Sequence, residues 1–95
     1  MDEPVEYVVG RRLRRRRRLM GLTQSDLGAL CGVTFQQVQK YESAHTRLSI
    51  GMLWKLACAL EVDVSYFFAD VPRALPANES RRRPAAEAMA PANAA

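Results

Sequence analysis

Residues 23–42 read TQSDLGALCGVTFQQVQKYE, a pattern that predicts two short helices joined by a tight turn. Thr23 is a good N-terminal cap for the first helix, because its hydroxyl can accept a hydrogen bond from the first helical turn. Asp26 places a carboxylate in that turn, where it suits the helix dipole. Gly32 lets the backbone take a positive φ and turn sharply. The first helix is therefore predicted over residues 24–31.

The second helix of the pair, predicted over residues 35–42, carries an outward face of amide groups. Thr34 caps it, and Gln37 at its third position completes a capping-box pattern. Val38 and Tyr41 are expected to be buried against the first helix and its neighbours. The outward side chains are Gln36, Gln37, Gln39 and Lys40. Glutamine can bond adenine edges and lysine can reach guanine in the major groove, so this face has the chemistry of base recognition.

Three further helices are predicted around this pair, so the fold class is all-α with five helices. The first runs over residues 5–20, the fourth over residues 50–60, and a short fifth over residues 63–69. Gly21 stops the first helix and Ser49 caps the fourth. The apolar side chains at helical spacing, which we expect to be buried, are Val5, Val9, Leu13, Met20, Leu27, Leu30, Cys31, Ile50, Leu53, Leu56, Ala57 and Leu60.

The chain divides into a predicted domain and a predicted tail. Residues 1–71 form the helix-rich domain, and residues 72–95 are predicted to be a disordered tail rich in Ala, Pro and Arg. Within the tail, the triplet Arg81–Arg83 either adds loose electrostatic affinity or only keeps the tail soluble. Cys31 and Cys58 lie inside apolar helical patterns, so we expect two buried, reduced thiols; the alternatives are a disulfide or a redox switch.

Basic residues exceed acidic ones, and the excess is concentrated in the helical part of the chain. The 95 residues include 14 Lys+Arg and 10 Asp+Glu, for a formal net charge of +4. Between Val5 and Lys55, ten basic residues stand against three acidic ones. Such a surface attracts polyanions, either nucleic acid or an anionic membrane.

Several classes of protein are disfavoured by what the sequence lacks. No segment approaches the ~20 apolar residues that span a membrane, and no apolar signal core follows the acidic N-terminus. We therefore expect a cytoplasmic protein, associated with the nucleoid if it binds DNA. No paired carboxylates, metal-ligand cluster or phosphate-binding glycine loop is present, so we expect no enzyme, no cofactor and no metal.

The order and spacing of these residues resemble the lambda-repressor-like family of bacterial transcriptional regulators, also called Cro or XRE type. The resemblance covers Val8 to Ala69, and the matching positions are Gly10, Leu13, Gly21, Leu22, Thr23, Gln24, Leu27, Gly32, Val33, Val38, Glu42, Leu56, Ala57, Leu60 and Val62. It implies a five-helix DNA-binding domain whose second and third helices form a helix-turn-helix. It also implies a sequence-specific regulator that binds double-stranded DNA as a homodimer on two-fold-related half-sites, with the third helix in the major groove.

The resemblance implies roles for individual side chains. The implied base contacts are Phe35, Gln36, Gln37 and Lys40. The implied phosphate contacts are Gln24, Thr34, Gln39, His45, Thr46 and Arg47. Gln24 is also expected to brace the third helix. Phe35 has no donor, so it would touch a thymine methyl, the alternative being a packing role. For Gln37, the alternative is a purely capping role.

The resemblance further implies a structural ion pair, Arg17 with Glu42, that ties the first helix to the third. The other arginines of the run from Arg14 to Arg18 either form a solvated face with packed stems or attract phosphate. The loop after the third helix departs from the family, because Ala44 stands where relatives usually have Gly. If the backbone needs a positive φ there, Ala44 is strained.

A dimer patch is predicted from Trp54, Tyr66 and Phe67, since aromatic side chains often anchor interfaces; core packing is the alternative. A different function is also open, that of an antitoxin or anti-activator of the same fold. Such a protein would engage a protein partner through its C-terminal tail or its aromatic patch. The tail lacks an apolar periodic segment, which weakens that alternative.

Overall fold

A computed structural model describes residues 3–72, which contain four α-helices and a final 3-10 helix. The helices are α1 (Val5–Leu19), α2 (Gln24–Cys31), α3 (Phe35–Glu42), α4 (Ile50–Leu60) and the 3-10 helix η1 (Val64–Phe68). No strand occurs in that part of the chain. The predicted all-α class with five helical segments is confirmed, although the fifth is a 3-10 turn. The predicted tail and its arginine triplet lie outside the described residues, apart from the tail's first residue.

Local capping explains why the predicted bounds of α2, α3 and α4 match the observed ones. Thr23 Oγ1 accepts from Asp26 N at 2.9 Å, and the Asp26 carboxylate accepts from Thr23 N at 2.9 Å. Thr34 Oγ1 accepts from Gln37 N at 3.1 Å, and Ser49 Oγ accepts from the first turn of α4. Each such cap contributes about 1 kcal/mol to stability.

The five helical segments share one hydrophobic core. Its members are Val9, Leu13, Leu27, Cys31, Val38, Tyr41, Leu56, Ala57, Leu60 and Phe67. Phe67 is the largest of the fully buried side chains, at 0% exposure. Its assignment to a dimer patch is therefore wrong: η1 turns this ring inward, where it fills the space between α1 and α4. Phe67 is thus a core residue, which was the alternative to a place in the dimer patch.

Close contact between α1 and α3 depends on Gly10. A Cβ at this position would lie 2.6 Å from the Glu42 carbonyl oxygen and 2.8 Å from that of Tyr41. The end of α3 therefore rests directly on the α1 backbone. At the turn between α2 and α3, Gly32 has φ 77°, as the sequence predicted.

Four apolar side chains that were expected to be buried are not. Val5, Leu30 and Ile50 are exposed by 43%, 61% and 88%, and Cys58 is exposed as well. The reason is geometric: each lies at helical spacing beside core residues, but no neighbouring helix covers that edge. Cys31 is buried as expected, and burial raises the pKa of its thiol. None of the helices in residues 3–72 has the length and apolar character to cross a membrane.

Candidate nucleic-acid interface

The outward side of α3 is an exposed polar face on a buried support. Gln36, Gln39 and Lys40 are exposed, while Val38 and Tyr41 on the opposite side are buried in the core. The face has no intrinsic charge other than that of Lys40. Its amide groups can both donate and accept hydrogen bonds, which is what base edges require.

Phe35 and Gln37 stand at the edges of this face. The Phe35 ring at the first position of α3 is 48% exposed, so it is neither a core residue nor fully in solvent. Gln37 is half-buried, and its backbone N–H, rather than its side chain, makes the capping bond to Thr34.

A buried cluster fixes the orientation of α3. Arg17 Nε donates to Glu42 Oε2 at 2.6 Å, and Arg17 Nη2 donates to Glu42 Oε1 at 3.1 Å. The side chains of Arg17 and Glu42 are only 9% and 4% exposed. Arg17 Nη1 also donates to the Leu22 carbonyl at 2.8 Å, and Gln24 Nε2 donates to Glu42 Oε1 at 3.1 Å. The cluster thus joins α1, the segment before α2, the start of α2 and the end of α3.

Every buried polar side-chain atom among residues 3–72 has a hydrogen-bond partner. This matters for Arg17 and Glu42, because a buried charge is tolerated only when it is paired and bonded. Such a pair contributes more to a fixed helix orientation than to net stability.

The loop between α3 and α4 holds the remaining predicted phosphate contacts. Ala44 has φ 64°, so its backbone adopts the left-handed conformation that favours glycine. Ser43 Oγ donates to the Gln39 carbonyl at 2.9 Å and lies 2.8 Å from His45 Nδ1. His45 and Arg47 are exposed and Thr46 is half-buried, so two of the three loop side chains reach solvent.

Two arginines of the basic run are structural ties that sequence reasoning did not identify. Arg12 Nε donates to the Tyr66 carbonyl at 2.9 Å, and its guanidinium lies 4.0 Å from the centre of the Tyr66 ring. Arg16 Nε donates to the Leu60 carbonyl at 2.9 Å. Leu60 is the last residue of α4, where the negative end of the helix dipole favours a cation, and Tyr66 is the middle residue of η1. The partners lie far along the chain, so no local signal could have indicated them.

The remaining arginines of α1 lie on its outward side. Arg11, Arg14, Arg15 and Arg18 are exposed and line one shallow hollow together with Leu19. Of the four, Arg11 forms a bidentate pair with Glu3 at 2.6 and 2.8 Å. This pairing lowers the pKa of the Glu3 carboxyl and raises that of Arg11.

The predicted dimer patch is only partly at the surface. Trp54 is 62% exposed, whereas Tyr66 is half-buried beneath Arg12 and Phe67 is in the core. Trp54 instead belongs to an apolar stripe on the outer side of α4. We define this α4 outer stripe as Ile50, Trp54 and Cys58, three exposed residues at helical spacing.

The fold and this polar helix face define a class of protein: transcriptional regulators with a helix-turn-helix DNA-binding fold. The chain belongs to the helix-turn-helix family HTH_3, whose model matches residues 13–67. It is 53% identical over 68 residues to the uncharacterized HTH-type transcriptional regulator y4aM of Sinorhizobium fredii, covering 72% of this chain and 48% of that protein. It is 43% identical over 75 residues to an uncharacterized transcriptional regulator in the ATPase CF(0) region of Rhodospirillum rubrum, covering 79% and 69%.

Two solved structures share the fold. The restriction-modification controller protein C.AhdI from Aeromonas hydrophila has a TM-score of 0.63 at 32% identity, covering 65% of this chain and 94% of that one. The P22 c2 repressor in complex with a synthetic operator has a TM-score of 0.59 at 29% identity, covering 62% and 89%. These similarities confirm the predicted family and the non-enzymatic class. The chain spans about half the length of its Sinorhizobium fredii relative, at 48%.

Proposed function

We propose that this chain is a sequence-specific regulator of transcription that binds double-stranded DNA with α3 in the major groove, acting on the cytoplasmic nucleoid. The observation that carries the proposal is the two-sidedness of α3: its Gln36, Gln39 and Lys40 face is exposed, while Val38 and Tyr41 are locked in the core. A rigidly held helix with an exposed amide edge is what direct readout requires. The similarity to a repressor solved with its operator supports the proposal.

The base contacts in this proposal come from the first two turns of α3. Gln36 would bond an adenine and Lys40 a guanine, because these pairings match the donors and acceptors of each base. Phe35, half-exposed beside them, would contact a thymine methyl. Gln37 would add a contact at the edge of this surface.

The phosphate contacts would flank these bases. The Gln24 side-chain amide has two N–H hydrogens. One of them is donated to Glu42, so the other is free to donate to a phosphate. Thr34 stands at the N-terminus of α3, whose free N–H groups favour an anion. The other proposed phosphate ligands are Gln39, His45, Thr46 and Arg47. Such contacts position the helix without reading sequence.

We further propose that the protein binds as a homodimer, with the α4 outer stripe rather than η1 at the two-fold axis. An exposed Trp54 at the middle of an apolar stripe is the kind of anchor that interfaces use. The adjoining exposed Leu30 on α2 extends the apolar surface, and both side chains line one shallow hollow. A two-fold arrangement would present two α3 helices to two-fold-related half-sites.

Selection from a randomised duplex library, with the full chain at physiological ionic strength, tests the proposal. We expect an enriched motif with two-fold symmetry. A folded protein that enriches no sequence would contradict base readout, and an enriched motif without symmetry would contradict the homodimer.

A further inference from the structure

The arginines of α1 look alike in the sequence, but two of them are placed differently from the rest. We infer that Arg14 and Arg18 bind DNA phosphates flanking the site read by α3, whereas Arg11 and Arg15 do not. The inference rests on the proposed function and assigns two more residues to the same interface. The seven arginines of α1 differ in whether the tertiary structure already gives each guanidinium a partner.

Three of the seven are committed within the domain. Arg17 is buried against Glu42, and Arg12 and Arg16 bind the carbonyls of Tyr66 and Leu60. Arg17 therefore faces α3, Arg12 faces η1 and Arg16 faces α4. The other four, Arg11, Arg14, Arg15 and Arg18, are exposed on the opposite side of α1.

Helix geometry ranks these four residues by their angle from the side of α1 that contacts α3. That side is marked by the buried Arg17, since its partner Glu42 lies at the end of α3 and also holds Gln24, a proposed phosphate ligand at the start of α2. With 100° per residue, Arg14 lies about 60° around the axis from Arg17 and Arg18 about 100°. Arg11 and Arg15 lie about 120° and about 160° away.

Position along the axis separates Arg18 from Arg11, which differ by only about 20° in angle. Arg18 is in the last turn of α1, next to the segment that leads into Gln24, and Gly21 N donates to its carbonyl at 3.0 Å. Arg11 lies about 10 Å further from that end, at 1.5 Å per residue. Its guanidinium is also engaged by Glu3. Arg14 lies closest to that side of α1 in angle and Arg18 closest to that end along the axis, so of the four their side chains are the best placed to reach a DNA backbone that passes Gln24.

The two guanidinium groups of Arg14 and Arg18 call for a negatively charged ligand. Two guanidinium groups about one turn apart on a helix fit successive phosphates of one strand better than a single small anion. Phosphate oxygens accept the bidentate donors of arginine, and each contact releases counterions from the duplex. In the proposed function, the polyanion available to these two residues is the DNA duplex that α3 binds.

The experiment compares two variants that remove the same charge from the same helix. R14Q/R18Q and R11Q/R15Q are both built on exposed positions, and thermal unfolding of each confirms that the domain is folded. Binding to a mixed-sequence duplex is measured by fluorescence anisotropy over a series of salt concentrations. At about 0.9 per phosphate contact, R14Q/R18Q should flatten the slope of log K against log salt by about 1.8 per protomer. R11Q/R15Q should change the slope little.

A rescue variant tests whether the positive charge, rather than another property of the arginine side chains, sets the salt slope. R14K/R18K should retain most of the slope, because lysine keeps the charge. Equal flattening in both glutamine variants would overturn the inference in favour of general attraction, and an unchanged slope in R14Q/R18Q would overturn it outright. Failure of the proposed function would look different: the wild-type chain would select no motif, while the comparison of salt slopes would stand on non-specific binding.

Discussion

Gln24 and Arg17 donate to the same oxygen, Glu42 Oε1, each at 3.1 Å. The first residue of α2 is thereby held by the carboxylate that holds α1 to α3. A side chain proposed to touch phosphate and a buried ion pair form one unit, so the position of α3 and that of its phosphate ligand are set together.

Removing the Glu42 carboxylate should destabilise the domain strongly. In Glu42→Ala, the buried Arg17 guanidinium loses its counter-charge, and we expect a loss of about 3–5 kcal/mol in the free energy of unfolding, measured with urea. The double variant R17M/E42L, which removes both charges, should recover much of that loss. If the double variant is as unstable as the single one, the unpaired charge is not the cause.

Replacing Ala44 by glycine should stabilise the domain. A left-handed backbone costs a non-glycine residue about 1–2 kcal/mol, which glycine avoids at some cost in unfolded-state entropy. We expect a net gain of about 0.5–1 kcal/mol for Ala44→Gly by the same unfolding assay. The matched control, Ala29→Gly on the exposed side of α2, should lose a similar amount. A loss in both variants would show that φ 64° at position 44 carries no strain.

Truncation of the base-reading side chains should reduce specificity rather than general affinity. Gln36→Ala or Lys40→Ala should each cost about 1–3 kcal/mol on the selected motif and little on random duplex. Competition binding with the two duplexes measures the difference. Ser65→Ala, an exposed change on η1, is the control that should alter neither. Equal losses on both duplexes would assign these side chains to the phosphate backbone.

Trp54 should control the oligomeric state. Trp54→Glu places a charge at the centre of the α4 outer stripe, where burial against a second copy would be costly, so we expect a shift to monomer in sedimentation velocity. Tyr7→Glu on α1 is the control, since Tyr7 is exposed to 48% but lies outside the stripe. A wild-type protein that is monomeric both free and on DNA would refute the proposed interface.

The capping carboxylate of Asp26 should make α2 sensitive to acid. Hydrogen bonds from Thr23, first its backbone N–H, lower the pKa of Asp26. A lowered folded-state pKa means that the stabilisation is complete above the unfolded value, about 3.9, and is lost as the pH falls through the folded value. Thermal unfolding between neutral and acidic pH should show this loss in the wild type and not in Asp26→Asn. Asp63→Asn, whose side chain makes no capping bond, should leave the acid dependence unchanged.

The sequence alone was sufficient for the helices and for the amide face of α3. Thr23, Thr34, Ser49 and Gly32 act within a few residues of themselves, so their hydrogen bonds and backbone angles follow from local order. Periodicity also placed most of the core. It failed at Val5, Leu30, Ile50 and Cys58, because spacing shows which residues share a helix face but not how much of that face a neighbour covers.

Only the tertiary structure could distinguish the arginines of α1 from one another and place Phe67 inside. Arg12, Arg14 and Arg16 are chemically identical, and their roles differ only in whether a carbonyl from residues more than 40 positions away lies within reach. Local hydrogen bonds are set by the chain that carries them. Burial and long-range pairing are set by which helices meet, and that depends on the whole packed domain.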